Sequence, residues 1–163
     1  MKLVLSFLLL FTLTANAQSF ENDKAIGLRL GGGNGLGTEI SFQLDHNENN
    51  RFEADLGWKS DNNFDGFKIT AMYQWVWYIE NNFSWYAGAG GGFGNYSFEV
   101  ISNGSTIIED DETFITIGGQ VGIEYNFDDL PLRISIDTRP ELGFGDFRDG
   151  LEFDFALGVR YRF

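Results

Sequence analysis

Apolar and polar residues alternate along most of the chain after about residue 25. Residues 151–163 show the pattern most clearly, because apolar side chains occupy every odd position and charged or small side chains occupy the even ones. A period of two is typical of β-strands whose two faces meet different surroundings. The alternation predicts an all-β fold of eight strands with no helix. The segments are 26–30, 36–44, 51–59, 67–79, 85–93, 115–127, 132–136 and 151–163.

The predicted connections between these segments alternate in length. A barrel that crosses a membrane has short turns at one end and longer loops at the other, and an even strand number places both termini at the short-turn end. Asn103-Gly104 predicts a hairpin inside the third long connection. A change of alternation predicts a bulge or bend near Gly94–Tyr96. The short connections are 45–50, 80–82 and 128–131, and the others are 31–35, 60–66, 95–111 and 140–150.

The charged residues of the strands lie on one face, in near balance of sign. A soluble barrel would turn this face to water, whereas a membrane barrel would turn it into the lumen. Many glycines share the face, which favours a narrow lumen filled by side chains. Because buried charges are costly unless paired, we predict a connected ion-pair network there. Its predicted members are Arg29, Glu39, Arg51, Glu53, Asp55, Lys59, Lys68, Glu124, Arg133, Asp137, Arg139, Glu152, Asp154, Arg160 and Arg162.

Aromatic residues of the opposite face cluster near the two ends of the strands. Aromatic girdles are typical of the two polar interfaces of a membrane. The sequence therefore predicts an eight-stranded antiparallel up-and-down transmembrane β-barrel with a plugged polar lumen. The girdle residues are Trp75, Trp77, Trp85, Tyr125 and Phe127 at the short-turn end, and Trp58, Phe67, Phe93 and Phe114 at the other end.

The first residues form an export signal. Lys2 precedes an apolar run from Leu3 to Leu13, and Ala15-Asn16-Ala17 is a small-x-small cleavage site. The alternative, a membrane-anchoring helix, is disfavoured because this run is about half the roughly 20 residues that cross a bilayer. We predict a cleaved signal peptide at 1–17, a short periplasmic segment at 18–24 and the barrel at 25–163.

Composition narrows the choice of partners. The chain carries 24 acidic and 11 basic residues, a net charge of -13, which argues against binding to nucleic acid. It contains 17 Phe, 6 Tyr and 4 Trp, so an acidic disordered segment is also disfavoured. The absence of Cys means that no disulfide or lipidated cysteine holds the protein.

The signal, the eight amphipathic strands and the terminal Tyr161-Arg162-Phe163 resemble small OmpA/OmpX-like outer-membrane barrels of Gram-negative bacteria. Segments such as Ala25–Gly33 and Trp85–Gly94 resemble more particularly uncharacterised barrels of Bacteroidetes. The leading hypothesis is a monomer, and the resemblance implies a position in the outer membrane with both termini periplasmic. It also implies contacts with outer-membrane lipid and lipopolysaccharide, and with the secretion and barrel-assembly machinery. Tyr161 and Phe163 would be the C-terminal assembly signal.

Candidate chemistry is sparse. His46 lies in a predicted short turn, away from the long connections where some similar barrels carry catalytic His and Ser. The run 61–66 matches the first half of an EF-hand loop, which gives a weak calcium candidate at Asp61, Asn63 and Asp65, but position twelve is Met72 rather than Glu. We expect no catalytic residue, metal or cofactor.

The leading functional hypothesis is a non-enzymatic barrel with a structural or surface-interaction role. Contacts would run through the connections 95–111 and 140–150, where a surface ligand is possible. One alternative is an outer-membrane enzyme that modifies lipid A or phospholipid. The other is a soluble secreted ligand-binding barrel.

Overall fold

The computed structural model describes residues 24–32, 37–61, 64–102, 105–145 and 150–163. They form a closed antiparallel barrel in which each strand pairs with the next and β8 pairs with β1. The predicted eight-stranded all-β fold is confirmed, while the predicted signal peptide and most of the 18–24 segment lie outside the described residues. The strands are β1 Lys24–Gly31, β2 Thr38–Asn47, β3 Asn50–Asp61, β4 Phe64–Glu80, β5 Phe83–Ser102, β6 Ser105–Asn126, β7 Leu132–Phe144 and β8 Gly150–Arg162.

A search of the described residues finds no helix of the length and apolarity needed to cross a membrane.

Where side chains are described, the middle parts of the strands alternate between a mainly polar interior and an apolar exterior. In β7, the inward-facing Arg133, Asp137 and Arg139 are 6%, 3% and 1% exposed. The outward-facing Ile136 and Leu142 of the same strand are 60% and 45% exposed. This arrangement is the reverse of a water-soluble barrel, in which the apolar face fills the core.

Short turns connect the strands at the end of the barrel where both described termini lie. Asn81 and Asn82 have φ angles of 48° and 69°, the two positive values of a type I′ hairpin turn, which Asn tolerates well. In the β2–β3 turn, the Asn47 carboxamide oxygen accepts hydrogen bonds from the Asn49 backbone at 3.0 Å and the Asn50 side chain at 2.8 Å. Both turns fall inside the predicted short connections. We call this end the termini end.

The strands at the opposite end are longer than predicted, and the long connections are correspondingly shorter. β3 runs to Asp61 and β4 resumes at Phe64, so most of the predicted loop 60–66 is strand. β7 likewise continues to Phe144 within the predicted loop 140–150. In β3 and β4, residues 59–61 and 65–66 are all polar or Gly. The period-two signal fades there although the backbone ladder continues.

Most of the predicted connection 95–111 is a two-stranded extension of β5 and β6. The predicted hairpin forms, with Ser102 paired to Ser105, although the Asn103-Gly104 turn itself lies outside the described residues. Of the bulge or bend predicted near Gly94–Tyr96, the bulge is wrong, because pairing is regular there and the register shifts between Val100 and Ile101 instead. We call this extension the hairpin and its end of the barrel the hairpin end.

The lumen narrows at the hairpin end around two inward-facing aromatic rings. Tyr96 and Phe114 are 8% and 2% exposed, and their rings stack with centroids 4.5 Å apart. Gly94 makes room for them, since a Cβ at this position would lie 2.4 Å from Phe114 Cζ. Phe114 was predicted in the outer girdle. That assignment is wrong because its even position in β6 faces the lumen.

Candidate functional site

The centre of the lumen is organised around the Glu53 carboxylate of β3. Arg139 Nη2 donates to Glu53 Oε1 at 3.1 Å, and Arg160 Nη2 donates to Oε2 at 3.0 Å. Gln43 and Gln120 add side-chain amide donors at 2.5 and 3.0 Å. Four donors from β2, β6, β7 and β8 thus converge on one anion of β3, so this carboxylate links strands on opposite sides of the barrel.

A second cluster lies toward the hairpin end around the Arg29 guanidinium of β1. Its Nη1 lies 3.0 Å from Glu39 and 2.5 Å from Asp154, and its Nη2 lies 2.6 Å from Asp137. Arg139 connects this cluster to the centre, because its guanidinium also reaches Glu39 at 3.4 Å. Arg29 is thereby paired with three carboxylates and Glu39 with two guanidinium groups, so the buried charges in this cluster are compensated.

A third cluster occupies the lumen toward the termini end. Arg51 pairs with Glu124 at 2.7 Å and lies over the Tyr86 ring, 4.8 Å from its centroid. Arg133 contacts Asp45 at 3.2 Å and donates to Gln43 at 2.7 Å. Because Gln43 also donates to Glu53, the third cluster joins the central one.

Neutral side chains carry much of this connectivity. Gln74 accepts from Arg51 and donates to Gln120 at 2.7 Å, and Gln120 donates in turn to Glu53. The Tyr86 hydroxyl donates to Asp137 at 3.2 Å, which links the clusters at the two ends. The lumen therefore contains a hydrogen-bonded network that spans all eight strands of the barrel.

The structure brings most of the predicted lumenal residues together. Asp55 joins Arg139 at 2.5 Å, and Lys68 pairs with Glu141. Three members lie at the margins. Lys59 is exposed, Glu152 is half-buried, and the half-buried Arg162 donates to the neutral oxygens of Asn126 and Phe127 at 3.2 and 3.4 Å. Lys59 keeps the inward-facing alternation of β3, in the same row as Tyr96, but is exposed where the strand reaches the hairpin-end rim.

Several residues of the network were not predicted. The missing residues are neutral, and they occupy inward-facing positions of the same alternation as charged residues: Gln43, Gln74, Tyr86 and Gln120. The alternation therefore already contained the signal for them. Glu141 was assigned to a loop, and only the continuation of β7 past Pro140 places it beside Lys68. A search for charges alone therefore misses the neutral links between ion pairs.

The predicted girdle aromatics of the exterior lie in two groups. At the termini end Trp77 and Trp85 stack with ring centroids 4.2 Å apart, and both are 40% exposed. Tyr125 packs edge-on against Phe127 at 4.9 Å, and both are half-buried. The predicted assembly-signal residues Tyr161 and Phe163 are outward-facing at the same end. The other predicted positions are exposed too: Trp58 53%, Phe67 39%, Trp75 42% and Phe93 48%.

The weaker chemical candidates are scattered. His46 is exposed near the end of β2, with its ring 6.1 Å from that of Phe52. Asp65 is exposed on β4, and the extended conformation of 64–72 does not wrap as an EF-hand loop. Asn63 lies outside the described residues. Within the part of the chain that the structure describes, no group of three or more His, Cys, Asp or Glu side chains has the geometry to hold a metal ion.

A closed eight-stranded barrel with an apolar exterior and a charged interior is the fold of small outer-membrane barrel proteins. Similar solved structures include the N-terminal β-barrel domain of Pseudomonas aeruginosa OprF (TM-score 0.63, 16% identity), covering 87% of this chain and 98% of that one. Neisserial surface protein A has a TM-score of 0.59 and 18% sequence identity, and the match covers 86% of this chain and 94% of that one. Yersinia pestis Ail, in complex with the heparin analogue sucrose octasulfate, has a TM-score of 0.50 and 17% sequence identity. The match covers 86% of this chain and 96% of that one. No protein-family model and no curated protein matches the chain.

Proposed function

We propose that this protein is a non-enzymatic outer-membrane barrel that makes contacts at the cell surface through its hairpin. The observation that carries the proposal is the inversion of the fold, with paired charges inside and large apolar side chains outside. Leu56, Ile69, Ile117 and Phe155 are 42%, 51%, 53% and 68% exposed on the exterior. Such a continuous apolar surface is unfavourable in water and favourable in lipid.

Both termini are proposed to be periplasmic, and the hairpin is proposed to lie on the outside of the cell. Outer-membrane barrels have short turns on the periplasmic side and longer extensions outside. The two-residue Asn81–Asn82 turn and the C-terminal Phe163 lie together at the termini end. The hairpin, by contrast, continues β5 and β6 beyond the apolar band. This orientation gives the hairpin a surface position.

The hairpin has a backbone edge that no described strand covers. Described pairing of β6 with β7 begins at Ile115, whereas β6 itself begins at Ser105. The Asn126 N–H donates to the Asn82 carbonyl of the β4–β5 connection at 3.0 Å, and the Phe127 N–H donates to the Leu132 carbonyl at 3.0 Å. Because backbone groups alternate in direction along a strand, those at even positions of β6 form hydrogen bonds toward β5, and those at odd positions point toward β7. The backbone groups of residues 109 and 111 therefore point away from β5.

This edge is suited to pairing with an extended basic segment. Uncovered backbone groups are a template for strand addition, in which main-chain hydrogen bonds supply affinity. The run Glu109-Asp110-Asp111-Glu112 is entirely acidic and would repel another acidic strand, including the same edge of a second copy. Charge complementarity would then select a lysine- or arginine-rich partner.

Exposed His46 lies toward the termini end, so no catalytic role is assigned to it.

Membrane placement is tested by fractionation. We expect the protein in the outer-membrane fraction, extractable only with detergent, because its apolar exterior requires a lipid or detergent layer. On a gel, the unboiled and boiled protein should differ in mobility, since the closed barrel remains folded without heating. Recovery from the soluble fraction without a heat-dependent mobility change would contradict the membrane proposal.

Strand addition is tested with two synthetic peptides of alternating sequence, lysine–threonine and glutamate–threonine. At low salt we expect at least about tenfold tighter binding of the lysine peptide, falling as ionic strength rises. Asp111→Pro should weaken binding by removing an edge N–H that β5 does not use. Asp111→Asn is the matched control, because it makes the same change of charge and retains the N–H. Equal binding to both variants would exclude edge pairing.

A further inference from the structure

The exterior of the barrel changes from apolar to polar within two residue rows at the hairpin end. Leu56, Ile69 and Phe93 form the last fully apolar row across β3, β4 and β5. The next outward-facing row contains Trp58, Phe67 and Asn95. The row beyond it contains only polar residues, Ser60, Asp65 and Ser97. Such a transition marks the depth at which acyl chains give way to lipid headgroups.

A cavity of about 340 Å³ opens on the exterior at this transition, and we call it the rim cavity. Its volume is within the range of small-molecule sites. Its lining combines two exposed aromatic rings with hydroxyl, carboxamide and carboxylate groups. The lining residues used below are Trp58, Phe67, Lys59, Ser60, Asp65, Asn95 and Ser97.

The chemistry of the rim cavity favours a neutral ligand rich in hydroxyl groups. Among the described lining residues, Lys59 and Asp65 are the charged ones, and their charges are of opposite sign. A phosphate group would favour several cations, which this lining does not supply. The faces of aromatic rings pack against apolar C–H surfaces, and Ser and Asn side chains donate and accept hydrogen bonds. A pyranose ring presents both kinds of surface.

We propose that the rim cavity binds the neutral sugar headgroup of an outer-leaflet glycolipid. The acyl chains would extend along the apolar row at Ile69 and Phe93, and the sugar would lie against Trp58 beneath Asn95 and Ser97. This inference rests on the proposed membrane placement, because only then are both chain and headgroup layers present. It assigns a specific lipid contact to a barrel whose exterior otherwise meets lipid nonspecifically.

The test is native mass spectrometry of the detergent-purified protein with two lipids that share acyl chains, monoglucosyl diacylglycerol and phosphatidylethanolamine. We expect preferential retention of the glucosyl lipid. Trp58→Leu should weaken that retention about fivefold, while Trp58→Tyr should preserve most of it. The matched control is Trp75→Leu. Trp75 lies at the termini end, and its side chain is 42% exposed, similar to that of Trp58.

Three results would overturn the inference: equal retention of both lipids, equal loss in the Trp58 and Trp75 variants, or displacement by methyl glucoside at a concentration equal to that of the lipid. The last result would mean that a free sugar, rather than a membrane lipid, is the occupant. A heat-dependent gel shift of each variant checks that the barrel has closed. If the protein instead folds without detergent, the membrane proposal fails, which is distinguishable from a folded membrane barrel with no lipid preference.

Discussion

Replacement of Glu53 by Met is expected to lower the free energy of unfolding by about 3–5 kcal/mol. The substitution roughly conserves side-chain length but removes the acceptor of four lumenal hydrogen bonds, those from Arg139, Arg160, Gln43 and Gln120. Glu53 and Arg160 are 1% and 0% exposed, so water cannot readily replace the lost acceptor. Leaving a buried charge without its partner costs more than the pair itself contributed.

The measurement is urea-dependent unfolding in lipid vesicles, followed by tryptophan fluorescence. Glu48→Met is the matched control, since it makes the same chemical change at an exposed residue of the β2–β3 turn and should change stability by no more than about 0.5 kcal/mol. The double variant Glu53→Met/Arg160→Met should recover part of the loss because it removes one orphaned charge. If the Glu53 and Glu48 variants were equally stable, the lumenal network would have no stabilising role at Glu53.

The barrel was predictable because its physical cause is periodic. An apolar exterior and a charged interior force a choice at every residue of a strand, so alternating runs such as 151–163 specify both the strand and its two faces. The inward parity of Arg29, Glu53 and Arg160 follows directly from this alternation. The same cause explains why prediction weakened at the hairpin ends of β3 and β4, where residues 59–61 and 65–66 are all polar or Gly and the alternation is lost.

Pairing partners within the lumen were not predictable in the same way. Alternation places Glu53 inward but does not say that its donors come from four different strands, because that depends on strand stagger and barrel closure. Arg29 and Asp137 are 108 residues apart in the chain and 2.6 Å apart in the lumen. The error at Phe114 has a different cause. Phe114 was assigned to the outer girdle by residue type, although its even position in β6 faces the lumen.

A cationic residue in the middle of the apolar exterior is expected to distinguish the membrane-barrel hypothesis from the soluble-barrel hypothesis. Val121 faces outward on β6, midway between Ile115 and Phe127, and is 52% exposed. Val121→Arg should lower the free energy of unfolding in lipid vesicles by about 2–4 kcal/mol, the cost of arginine near the bilayer midplane on a barrel exterior. The inward-facing neighbours on β6 are unchanged, so the loss would come from the lipid rather than from the lumen.

Leu130→Arg is the control for this substitution because Leu130 is 50% exposed, almost the same as Val121, but lies in the β6–β7 connection at the termini end. In a membrane barrel this position meets the interface or water, where arginine costs roughly 0–1 kcal/mol. In a soluble barrel both side chains would meet water, and the two variants would lose equally little stability. A difference of about 2 kcal/mol or more between the two variants therefore requires a low-dielectric exterior at mid-strand. Equal stabilities would mean that the apolar face is covered by something other than lipid.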